Sequence, residues 1–186
     1  MNTFINKLKE YGCVNEEIEK ELEAKVKRIV RQKGDFLLKK GQRTSGLFVI
    51  EKGLVRAYYT KEGREINSWF GFENIILGSI MPVFYNLPSS ESIQCLETSI
   101  IHYISMSDLE KLYEKYSLLN TIGRKMAEEY CMILEERINS LQTQTAEQRY
   151  KNLLAVHPEA IQRISLGHIA SYLGISQETL SRVRSK

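Results

Sequence analysis

A chain of 186 residues with 42% hydrophobic content has room for one large or two small packed domains, and no window approaches the ~18 consecutive apolar residues that span a bilayer. The opening residues, Met1 to Lys7, lack the charged-then-apolar layout of a secretory leader, so a cytoplasmic address with no membrane partner is expected. The net charge of +3 is concentrated: residues 143–186 hold six basic side chains against three acidic ones, and residues 1–142 carry 20 of each sign, so the last quarter is the part suited to a polyanion.

The first stretch, residues 3–30, reads as helical, with Ile18, Leu22, Val26 and Ile29/Val30 returning every three or four positions among many Glu and Lys. At Gly34 the period changes. From Phe36 to Tyr103 the chain becomes short β-type runs, "DFLL", "GLFVIE", "GLVRAYYT", "EINSWF", "ESIQCLE" and "SIIHYIS", separated by Lys40-Gly41, Lys52-Gly53 and Glu62-Gly63. Regular glycine turns without helical crossovers predict a compact antiparallel β structure rather than a doubly wound α/β sheet.

Helical spacing resumes after Ser107-Asp108, read as an N-cap. Leu118, Ile122, Met126, Tyr130, Ile133 and Leu141 form one stripe, which Leu119, Leu134 and Ile138 widen. A stripe this long and wide exceeds what one small β domain covers, and pairing with the same helix of a second copy is the economical solution. Gln142-Thr143-Gln144-Thr145 breaks the stripe and marks a boundary. The predicted organisation is therefore a β module at residues 1–117, a dimerisation helix at 118–142 and a small domain at 143–186.

After Pro158 the pattern is two short helices around a sharp turn. Leu166, Ile169, Ala170 and Leu173 give the apolar side of the first; Gly174 supplies the turn, Ser176 caps the second, and Leu180 and Val183 are its inner side. Crossing helices require a small residue at Ala170 and an unusual backbone at Gly174. Gln177, Glu178, Ser181 and Arg182 then project outward, and these types suit base edges: Arg to guanine, Gln to adenine, Glu accepting from cytosine. Ser165, Thr179, Arg184 and Lys186 suit phosphate contacts, which position without reading sequence.

Catalytic and metal chemistry have little support. Cys13, Cys95 and Cys131 are widely spaced, with no C-x-x-C pair, and buried reduced thiols are expected rather than a disulfide framework, a zinc site or an iron–sulfur cluster. None of His102, His157 and His168 has a Cys or Ser and an acid at informative spacing, and no phosphate loop is present, so no enzyme is predicted. Cys95 with His102 is the one conceivable pair, and it lies in a stretch that reads as β core.

The order β module, long helix, C-terminal helix-turn-helix resembles the Crp/Fnr family of bacterial transcription regulators over nearly the whole chain. "ISLGHIASYLGISQETLSRVRS" matches the family's DNA-reading segment and puts Gln177, Glu178 and Arg182 on its three base-touching positions. "GLFVIEKGLVRAYYTKEGREI" is similar to its β-roll hairpins, with Gly53 and Gly63 on turn glycines. The resemblance implies an α+β chain: a double-stranded β-helix (β-roll) sensor domain, a dimerisation helix and a helix-turn-helix domain. It further implies a homodimer on a palindromic operator with half-sites about one helical turn apart. RNA polymerase is the further partner an activator would touch.

Three departures shape the expectation. Members that bind cyclic AMP hold it with a Gly-Glu-Leu segment and an Arg-Ser or Arg-Thr pair; the matching residues here are Gly78, Ser79 and Ile80, and Ser89 and Ser90, without either charge. A buried phosphate without a cation costs several kcal/mol, so weak or no cyclic AMP binding is expected and any effector is a different small molecule. A solitary Cys13 does not supply the family's iron–sulfur ligands, and a satisfied histidine at His102 is favoured over a haem ligand. The sequence also ends at the second helix, where the family continues into a two-stranded wing, so the wing is expected to be truncated. The competing reading is a signal-sensing or protein-interaction module that keeps the fold without binding DNA.

Overall fold

The computed structural model describes residues 2–43 and 46–185. Two short helices open it, α1 (Thr3–Tyr11) and α2 (Glu16–Lys25), each started by an asparagine: Asn2 Oδ1 accepts from the Phe4 amide at 3.0 Å and Asn15 Oδ1 from the Ile18 amide at 2.9 Å. The stretch expected to be helical over residues 3–30 is thus two helices and a strand. Ile18 and Leu22 are buried as the periodicity required, but Val26 ends α2 with an extended backbone and Lys27–Arg31 forms β1. The β-branched Ile29 and Val30 pair with Ile101 and Ile100 of a later strand, and that pairing overrides the helical spacing.

The predicted β runs are strands: β2 (Phe36–Leu38), β3 (Gly46–Lys52), β4 (Val55–Lys61), β5 (Arg64–Gly71), β7 (Glu91–Cys95) and β8 (Ser99–Ser105). A two-residue strand, β6 (Ile76–Leu77), and a single short helix, α3 (Ile80–Tyr85), lie between β5 and β7. The strands form two antiparallel four-stranded sheets, in the orders β1-β8-β3-β6 and β2-β7-β4-β5. Facing residues fill the space between them, among them Leu38, Phe48, Ile50, Val55, Ala57, Ile93, Cys95 and Ile101, giving the jelly-roll arrangement of a β-roll. Gly53, at the β3–β4 turn, has φ 113°, and a Cβ there would lie 2.3 Å from Ser99 Oγ, so both backbone and space demand glycine.

Ser105, rather than Ser107, caps α4 (Met106–Lys115), its Oγ accepting from the Asp108 amide at 3.1 Å. The long helix α5 runs Ser117–Thr143. A capping box at Thr145 and Gln148 starts α6 (Ala146–Val156); α7 (Ala160–Arg163), α8 (Leu166–Leu173) and α9 (Gln177–Arg184) follow. The chain is therefore α+β, with the strands between two opening helices and a helical C-terminal part. Leu119 and Ile122 of α5 are buried with Phe4, Ile5, Leu8, Ile18 and Leu22 in a helical core beside the β-roll. A third core joins β-roll residues Leu54, Phe70 and Phe72 to Ile164, Ile169, Leu173 and Leu180, so the helix-turn-helix is seated directly on the β-roll.

Candidate nucleic-acid interface and effector pocket

The two helices of the C-terminal pair are fixed by their ends. Ser165 Oγ accepts from the His168 amide at 3.3 Å and Ser176 Oγ from the Thr179 amide at 3.2 Å. Gly174 closes α8 with φ 68°, a left-handed conformation that lets its amide and that of Ile175 return to Ser171 and Ala170. Ala170, Leu173 and Leu180 are buried where the helices cross. Two arginines hold the C-terminus of α8: Arg149 Nε donates to Leu173 O at 2.9 Å, while Arg137 of α5 donates to Tyr172 O and lies 4.0 Å over the Tyr172 ring.

On α9 this leaves Gln177, Glu178, Ser181, Arg182 and Arg184 exposed, Thr179 half-buried, and Ser165 and Ser176 exposed at the helix starts. Arg182 donates to Thr179 Oγ1 at 3.2 Å, and the Gln177 amide lies against Gly167, where a Cβ would come within 2.5 Å of Nε2. The Glu178 carboxyl is held below its ordinary range by the Ser176 hydroxyl, by its own amide and by Arg182. The outer face thus presents an amide, a carboxylate and a guanidinium, with the α9 N-terminus open beside them. Lys186 lies outside the described residues.

The stripe expected on α5 divides. Ile122 is buried, and with half-buried Met126 it packs on α1 and α2, facing its own protomer instead of a second helix. The reason is that α1 lies against α5: Lys125 donates to Tyr11 O at 2.9 Å and Tyr11 donates to Glu129. Leu118 remains exposed and Tyr130 half-buried, while Ile133 and Leu141 are exposed together with Met132, Leu134 and Ile138. Ala127, Cys131, Leu134, Ile138 and Leu141 recur at alternating spacings of four and three, the spacing that coiled-coil seams use. Cys13 and Cys131 are exposed, against expectation; Cys95 alone of the three thiols is buried, and burial pushes it up to about 11.

Of the residues expected around an effector, Ser79 and Ser89 meet: their Oγ atoms are 3.0 Å apart, and both are buried. Gly78 and Ile80 are half-buried beside them and Ser90 is exposed. The carboxyl that reaches this place is one the sequence analysis missed, Glu91, 7% exposed. Its backbone oxygen accepts from Ser89 Oγ at 2.8 Å and its Oε2 from Ser68 Oγ at 3.5 Å. Burial raises it above the ordinary carboxyl range against the hydroxyls of Ser79 and Ser68. Glu91 reads as one more polar residue in "PSSESIQ"; strand alternation, which places it on the inner face with Ile93 and Cys95, was the available signal. Among the described residues no cation faces it in an ion pair. His102 is 5% exposed and its Nε2 lies 2.7 Å from Glu51 Oε2, an internal partner that suits a structural histidine.

Residues 28–116 match the cyclic nucleotide-binding domain family. The fumarate and nitrate reduction regulatory protein of Yersinia pestis is 28% identical over 165 residues; the match covers 82% of this chain and 65% of that protein, so the chain spans about two thirds of its length. The structure of FixK2 from Bradyrhizobium japonicum superposes with a TM-score of 0.72 at 18% identity, covering 86% of this chain and 83% of that one. The catabolite activator protein of Thermus thermophilus does so with a TM-score of 0.60 at 19% identity, over 96% of this chain and 85% of that one. No helix among the described residues is long and apolar enough to cross a membrane.

Proposed function

We propose that this chain is a transcription regulator of the Crp/Fnr type, acting as a homodimer that reads a palindromic DNA site with α9 and answers to an effector other than cyclic AMP. The observation that carries the reading is the outer face of α9, where Gln177, Glu178 and Arg182 stand in solvent on a helix whose inner face and N-cap are fully engaged. Exposed side chains whose partners are all local remain available to base edges. Ser165, Ser176, Thr179, Ser181 and Lys186 are assigned to the flanking contacts, with the α9 N-terminus toward a phosphate.

The dimer is assigned to the exposed apolar face of α5, Leu118, Tyr130, Ile133, Leu134, Ile138 and Leu141, since a twofold pair of such faces removes them from water and sets the distance between the two reading helices. The pocket chemistry supports rejection of a cyclic phosphate: it offers serine hydroxyls and a buried carboxyl, and a phosphate placed beside Glu91 would face like charge without a guanidinium. No iron–sulfur cluster or haem is assigned, and regulation rather than catalysis is the role.

The test is selection of duplexes from a random library by the purified full chain, followed by titration of the selected site with and without cyclic AMP. The reading predicts a two-fold symmetric consensus and an affinity that cyclic AMP leaves unchanged. An unselective or absent interaction with DNA would favour the sensing-module alternative.

A further inference from the structure

Two of the chain's three histidines, His157 and His168, lie where the helix-turn-helix meets the β-roll. His168, on α8, is half-buried with Nε2 at 3.0 Å from Nη1 of Arg56, on β4. A guanidinium has no lone pair and only donates, so Nε2 accepts and carries no proton. The ring proton is then on Nδ1, which has no partner among the described residues; nor does Nδ2 of Asn67, the 2%-exposed neighbour that accepts from the same guanidinium. The contact therefore works with a neutral imidazole and fails with an imidazolium, which would set two donors and two positive charges face to face in a buried place. Arg56 is 4% exposed and tied to Gln94 Oε1 at 2.7 Å and Glu65 Oε2 at 2.6 Å, so it cannot swing away.

We propose that this junction is an acid-released latch: the helix-turn-helix stays seated on the β-roll while His168 is neutral, and protonation of His168 unseats it. Around that ring the charged groups are Arg56 from β4 and Glu65 from β5, with Asn67, whose backbone N–H donates to Ser171 Oγ at 2.9 Å, as a neutral neighbour. Burial first, then Arg56, lower the His168 pKa, and Glu65 opposes them. A group lowered in the seated form gives seating that is complete above its free value and is lost as pH falls through and below about 6.5. His157 shifts in the same direction: it stacks on Phe72 at 3.7 Å between centroids, and burial and Arg163 lower it against Glu159. The other clamp of the junction stays charged in this window, because Arg163 holds Glu73 down at about 2 while also gripping Glu97 at 2.6 Å. The latch therefore has a titratable half and a fixed half.

The experiment is energy transfer between dyes on Lys33→Cys, in the β-roll, and Lys151→Cys, on α6, in the full chain with Cys13→Ser and Cys131→Ser. Excess unlabelled chain makes each pair report one protomer. Between about pH 7.5 and 5.5, which spans the ordinary histidine range, transfer should fall reversibly in this parent while far-UV circular dichroism holds. His168→Gln keeps an acceptor for Arg56 that does not titrate, and its transfer should fall by less than half as much as in the parent, the remainder being the share of His157. Unchanged transfer in the parent, an equal fall in His168→Gln, or a fall accompanied by loss of helical dichroism would each overturn the proposal. None of these readouts involves DNA, so the latch and the DNA-reading assignment stand or fall separately.

Discussion

Arg182 is exposed and its side chain meets only neighbours on its own helix among the described residues, so its replacement should leave the fold intact and change what the fold reads. Arg182→Ala is expected to weaken the selected duplex by about 1–3 kcal/mol and to relax preference at one position of each half-site, measured by competition fluorescence anisotropy. Gly174 behaves in the opposite way: φ of 68° makes Gly174→Val costly to stability, by about 1 kcal/mol or more, while no base contact is touched, and a thermal melt registers it. Gly174 and the Ser176 cap were legible in the sequence because caps and turns are local: a serine three residues before its amide and a glycine at a helix end carry their own signal. Glu91, Arg56 and His168 were not. Their roles depend on partners that only the fold brings together, as the Arg56–His168 separation of 112 residues illustrates, and a lone polar residue in a strand does not announce which face it occupies.

Elements show the same division between local and long-range cause. The alternating runs from Phe36 to Tyr103 became strands because period and turn glycines agree, whereas Lys27–Arg31 kept helical spacing yet pairs with β8. On α5 the apolar stripe was visible, but which of its residues the protomer itself covers was not, since that depends on α1 lying across Ile122. The exposed remainder carries a prediction: Leu134→Asp with Ile138→Asp should convert the dimer to monomer in sedimentation equilibrium without altering far-UV dichroism, because both side chains are about half exposed in the protomer. Ile122→Asp, in contrast, should unfold the chain. The Arg163 clamp supplies a pH expectation at this scale. Glu73 titrates at about 2, a depressed value, so its pairing persists from neutral pH down through the usual carboxyl range and is lost only toward pH 2; carboxyl resonances followed by NMR would check the midpoint. Glu73 is partly exposed, so that pairing guides the seating more than it stabilises the fold.

At the scale of the whole molecule the sequence of parts is itself informative. A β-roll, a long helix with an uncovered apolar face and a seated helix-turn-helix connect the buried Ser79–Ser89–Glu91 cluster to α9. Any small molecule that changes the pocket can act on DNA only by favouring one arrangement of these parts over another. The basic excess of residues 143–186 adds an electrostatic attraction that salt weakens, so binding should fall steeply with ionic strength. The most direct measurement is anisotropy titration of a selected symmetric duplex against a scrambled one of equal length, across a salt series, with the intact chain and with Arg182→Ala. The account predicts a preference of about 10³-fold or more for the symmetric site, a steep salt slope on both duplexes and loss of most of the preference in the variant. Equal affinity for both duplexes, or a preference that Arg182→Ala leaves untouched, would contradict it.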